Sequence, residues 1–102
     1  MSSRAKTAYF LKRIEAAKKK PVDARSLQMV INDLEHFIAQ NPGHLRTLNL
    51  YAYFQLRNSR PDLAGEACSR ILILDKKNVP AMSQLLNCYV MIGDMQKALQ
   101  CA

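Results

Sequence analysis

Apolar side chains recur every three or four residues along most of this 102-residue chain, the spacing of helices buried on one face. The clearest stripe is Leu27, Val30, Ile31, Leu34, Phe37 and Ile38. It predicts a helix from about 24 to 40, opened by Asp23 as N-cap. Asn41-Pro42-Gly43 should stop it, with Gly43 as a left-handed cap and Pro42 unable to continue a helix. Upstream, Phe10, Leu11, Ile14 and Ala17 share one face of a basic amphipathic helix over about 4–19, and Pro21 ends it.

Downstream, Leu45, Leu48, Tyr51, Ala52 and Leu56 mark a third helix over about 44–57. After the Asn58–Asp62 turn, Leu63, Ala64, Ala67, Cys68, Ile71 and Leu74 mark a fourth over about 62–74, with Pro61 near its start. Met82, Leu85, Leu86, Tyr89 and Val90 mark a fifth over about 80–92. Gly93-Asp94 reads as a turn, and a sixth helix begins near Met95. Nothing alternates with period two over a useful length. The expectation is an all-α fold of six helices in pairs, one domain over 1–102.

Two stretches align at a spacing of 34 residues: Ala64 falls on Ala98, Leu48 on Met82, Tyr51 on Leu85 and Leu63 on Lys97. The run Asn87–Ala102, with its Tyr89, Gly93-Asp94 and Ala98, resembles the tetratricopeptide (TPR) repeat, whose period this is. In that frame 45–78 is one repeat and 79–102 the front of another. Residues 21–44 are a degenerate repeat, with Pro42 at the closing position, and 1–20 are a basic N-terminal helix. Departures are Lys76 for the closing Pro, Gln55 for the first-helix Tyr, and Leu86 where a small residue is usual. The resemblance implies a right-handed α-solenoid of about three antiparallel helix pairs. Such units stack because they cannot bury their apolar faces alone, and the stack forms a concave binding surface. Small Ala52, Ala64 and Ala98 would let helices approach closely.

The resemblance also implies which side chains line that surface: Arg46, Asn49, Tyr53, Leu56 and Arg57 from one unit, and Ser83, Asn87, Val90 and Met91 from the next. Amides for a backbone, Arg for a carboxylate, and Tyr and Met for an apolar anchor suit a peptide partner. The carboxylate clamp of chaperone-binding TPR domains is not matched, since Asn49 and Tyr53 stand at two of its positions. In size, architecture and the Asn-Pro-Gly-His-Leu opening of the third helix, the chain resembles the TPR-like chaperones and export components of type III secretion.

Charge adds a second possibility. The formal net charge is +7. Residues 1–20 hold Arg4, Lys6, Lys12, Arg13, Lys18, Lys19 and Lys20 against Glu15 alone, a net of +6, while the remainder carries eight basic and seven acidic side chains. A localised basic segment attracts acidic proteins, nucleic acid or anionic surfaces. The alternative reading is therefore a basic subunit of a ribonucleoprotein docked through residues 1–20, with Tyr9 and Phe10 the only side chains there able to stack on bases. A mitochondrial transit helix fits the segment less well, because it is Lys-rich rather than Arg-rich and contains Glu15.

Candidate chemistry changes the picture little. Cys68, Cys88 and Cys101 have neither metal nor redox spacing and suit packed thiols of a reducing, cytoplasmic compartment. His36 and His44, the only histidines, lack partners at ligand spacing. There is no phosphate loop, no nucleophile grouping and no apolar run long enough to span a membrane. The expectation is a non-catalytic interaction module without metal or cofactor, an adaptor or small chaperone binding a peptide or helix of another protein. Self-association or a capping partner is expected at its C-terminal end, where Met91, Leu99 and Ala102 should be partly uncovered.

Overall fold

A computed structural model describes the backbone of residues 3–19 and 23–101, and side chains over 6–19 and 23–96. Among the described residues there are five helices and no strand: α1 (Ser3–Lys18), α2 (Ala24–Gln40), α3 (Leu45–Arg57), α4 (Pro61–Leu74) and α5 (Val79–Cys101). The expected break at Pro21 lies outside them.

Local chemistry sets most of the boundaries. The Asp23 carboxylate accepts from the Ser26 N–H at 2.8 Å and opens α2, satisfying one of the donors a helix start leaves unpaired. That contact also holds the Asp23 carboxyl below its usual range. At the other end Gly43 is not the cap: no glycine takes a positive φ. Instead the Asn41 N–H donates to the Phe37 and Ile38 carbonyls, and its side-chain amide donates to Phe37 O at 3.1 Å. His44 opens α3, its Nδ1 accepting from the Thr47 N–H at 3.3 Å with Thr47 Oγ1 2.6 Å away. The left-handed residue in the α3–α4 turn is Ser59, at φ 58°. Asn78 starts α5 by accepting from the Ala81 N–H at 3.0 Å.

The six-helix expectation fails at Gly93-Asp94, which lies inside the 23-residue α5. A glycine within a helix costs about 1 kcal/mol relative to alanine but does not break it. Gly93 does not take a positive φ, and the helix runs through it.

The helices pack in sequence order, α2 on α3, α3 on α4 and α4 on α5, while α3 also touches α1 and α5. The result is elongated, 54 × 33 × 21 Å. Its interior forms three apolar clusters. Leu11, Ile14, Leu27, Ile31, Leu34, Leu50 and Phe54 join α1, α2 and α3. Ala52, Ala64, Ala67, Cys68 and Cys88 join α3, α4 and α5. Ile38, Leu48, Ile71 and Ala81 join α2 to α5 across α3 and α4. Leu85 is only half-buried at the edge of the second cluster. Two buried polar side chains are paired: Thr47 with His44, and Gln55, which donates to the Tyr51 hydroxyl at 3.1 Å.

Cys68 and Cys88 are fully buried and face each other where α4 meets α5. Burial pushes the Cys68 thiol up to about 11, with the neighbouring Cys88 adding to the shift. The thiolate is the reactive form. Native protein at pH 8 should therefore leave both thiols unmodified by iodoacetamide over hours, whereas denatured protein should take label at both. Peptide mass mapping reads the sites, and rapid native labelling of Cys68 would refute the packing. Cys101 lies outside the described side chains.

Candidate groove between the third and fifth helices

Along α3, Leu56 and Arg57 lie one turn after Tyr53 and face α5, where Gln84, Asn87 and Met91 follow at one-turn intervals. Between the two helices these six side chains line an open cavity of about 320 Å³. Five of the nine groove residues expected from sequence thus meet in one place: Tyr53, Leu56, Arg57, Asn87 and Met91.

The other four do not line it. Arg46 turns to α1, where its guanidinium lies 2.7 Å from Glu15 Oε1 and holds that carboxyl below its usual range. Asn49 ties α3 to the head of α5, donating to Asn78 Oδ1 at 3.3 Å and accepting from Gln84 Nε2 at its backbone carbonyl at 3.0 Å. Ser83 and Val90 are exposed on the flank of α5 outside the cavity. The residue the sequence missed is Gln84, one turn before Asn87. The repeat frame that named Asn87 and Met91 passes over it, although it lies on the same face of α5.

The electrostatics come from two helices. Lys18, the last residue of α1, places its Nζ 4.7 Å from the centroid of the Tyr53 ring. Arg57 lies over the same ring at 5.7 Å. Each cation is attracted to the ring face, so Tyr53 holds two positive charges at one end of the groove. The rest of the lining, Leu56, Gln84, Asn87 and Met91, is apolar or amide. Lys18 is therefore where the basic N-terminal segment and the groove meet.

Lys12 and Lys19 are exposed, while Lys6 and Arg13 line an open cavity of about 570 Å³ between α1 and α2, where Arg13 pairs with Asp33 at 3.3 Å. The side chains of Arg4 and Lys20 lie outside the described residues. Phe10 stacks on Phe37 with ring centroids 4.8 Å apart and planes 6° from parallel. One face of Phe10 is thus occupied, and Tyr9 stands exposed.

A smaller cleft of about 240 Å³ lies between α2 and α4, floored by Ile38, Leu48 and Ala67 with Glu35, Glu66 and Arg70 among its lining residues. Burial raises the pKa of the Tyr51 phenol beside it. Among the described residues no three His, Cys, Asp or Glu side chains are grouped to hold a metal ion, and no helix is long and apolar enough to cross a membrane.

No family model, curated protein or solved structure matches the chain. The functional reading therefore rests on the geometry of the groove and the pattern of the sequence.

Proposed function

We propose that this chain is a non-catalytic protein-interaction module, a short TPR-like stack whose α3–α5 groove takes a peptide or helix of a partner protein. The observation that carries the reading is the convergence of Tyr53, Leu56, Arg57, Asn87 and Met91 on one cavity, with Lys18 above Tyr53. The packing order supports the stack: each helix from α2 onward meets its successor, and α3 also meets α1 and α5. In such an arrangement odd-numbered helices share one face, and the groove lies on it. The partner segment carries an acidic residue for Lys18 and Arg57 and an apolar side chain for Leu56 and Met91. The buried unpaired thiols Cys68 and Cys88 suit a reducing compartment.

Peptides of about ten residues that pair one acidic and one apolar anchor at varied spacing test the reading by fluorescence anisotropy. Arg57→Glu and Lys18→Glu should each weaken the best binder about tenfold or more, the effect of about 1.4 kcal/mol on binding. Both residues are exposed, so helical content by circular dichroism should not change. If no peptide binds, or both variants bind as the parent does, the groove is not the site.

The second reading places nucleic acid on α1, and the exposed Lys6, Lys12, Lys18 and Lys19 favour it. The Phe10–Phe37 stack removes a base platform from that helix. Binding through phosphates would weaken steeply with salt, which separates it from groove binding in a single titration series.

A further inference from the structure

The exposed face of α5 is a second surface, separate from the groove. Residues Val79–Gly93 carry no charged side chain. Val79, Met82, Leu86, Tyr89 and Val90 are each between 45 % and 70 % exposed. Val79, Met82, Leu86, Tyr89 and Gly93 follow one another at intervals of three and four, which draws them into a single seam along the helix. The other wall of α5 is occupied, with Ala81 and Cys88 buried against the preceding helices. A continuous apolar strip of this kind marks an interaction site rather than ordinary surface.

We propose that this face binds a second copy of the same chain, α5 against α5, antiparallel about a two-fold axis at Leu86. In that register the strip is self-complementary at Leu86, Met82, Val90 and Val79, with Tyr89 level with Ser83. Leu86 meets its own counterpart, Met82 lies level with Val90 of the other copy, and Val79 lies level with Gly93. Nothing stands within 4 Å of where a Cβ on Gly93 would be, so the helices can approach closely there. Charge fits the same register. Asp94, exposed just beyond the seam, comes level with Asn78 and adjoining Lys77 and Lys76 at the head of the other α5; both lysines are exposed. The two-fold makes this pairing twice. The net +6 of residues 1–20 resides mainly on α1, which packs on α3 rather than α5, so the strongly basic helices are not part of the seam. An isologous contact of this kind closes on itself and stops at a dimer.

Sedimentation equilibrium of the full chain from about 1 to about 200 μM spans the affinities of small interfaces. The expected result is a shift from the 11.6 kDa monomer to twice that mass. Leu86→Lys should hold the chain monomeric throughout with unchanged helical content, since Leu86 is 64 % exposed. Lys76→Glu with Lys77→Glu should weaken the dimer about tenfold, and adding Asp94→Lys should restore it. A parent chain that stays monomeric at the highest concentration overturns the proposal and leaves the strip to a different protein or to further chain. A dimer indifferent to Leu86→Lys, or a charge exchange that fails to restore association, overturns the antiparallel seam.

Discussion

Phe54→Ala should lower the melting temperature by roughly 15–30 °C. Phe54 is wholly buried and belongs to the cluster that joins α1, α2 and α3. Truncating a buried Phe costs about 3–5 kcal/mol, part transfer free energy and part the cavity left behind. Small domains have only about 5–15 kcal/mol in total, and near this size each kcal/mol moves Tm by about 4–8 °C. The ring also presents its face or edge to Tyr53 at 5.1 Å and 88°, so the substitution loosens the wall of the groove as well. Leu34→Ala, at another wholly buried position of the same cluster, should cost about 2–5 kcal/mol. Leu85, by contrast, is half-buried, and its truncation should cost less than that of Leu34. Thermal melts by circular dichroism rank the three; a Phe54→Ala melt within about 5 °C of the parent would remove Phe54 from the core.

Ala52→Leu should be comparably damaging for the opposite reason. Ala52 and Ala64 are both fully buried where α3 meets α4, in the cluster that includes Ala67 and the two thiols. Methylenes added to a packed contact force side chains off rotamer and push backbones apart, at about 1–3 kcal/mol and sometimes more. Here the displaced elements are α3 and α4, which carry the rest of the stack. Ala16→Leu, at an exposed position of α1, is the control and should stay within about 0.5 kcal/mol. Urea titrations give both values. Equal midpoints for the two variants would mean that α3 and α4 are not held at the distance two alanines set.

A sequence signal local to one helix carries through to the fold, and one that depends on how helices cross does not. The stripe from Leu27 to Ile38 is a property of one helix, and α2 occurs where it predicts, opened by Asp23. The small Ala52 and Ala64 mark a close crossing because only small side chains allow one. Gly93-Asp94 misleads because glycine is permissive in both directions, serving a turn or sitting within a helix, and no local residue decides. The groove is half legible. The repeat frame names Tyr53, Arg57, Asn87 and Met91, but whether a side chain lines a cleft or bridges to a neighbour depends on the crossing. Arg46 had a carboxylate within reach on α1, and Asn49 had Asn78 and Gln84 at the start of α5. Neither partner is near in sequence. Lys18 reached the groove for the same reason, across an interhelical approach that charge counting along the chain does not contain.

One helix enters all three apolar clusters: α3 supplies Leu50 and Phe54 to the first, Ala52 to the second and Leu48 to the third. Its side chains point to three sides of the molecule, so its burial is nearly circumferential while its neighbours bury a stripe. The chain's two ends are therefore joined mechanically through thirteen residues, Leu45–Arg57. Fraying of α1 or of the far end of α5 leaves the remaining clusters intact. Melting of α3 opens all three clusters at once, so unfolding should be cooperative despite the elongated shape.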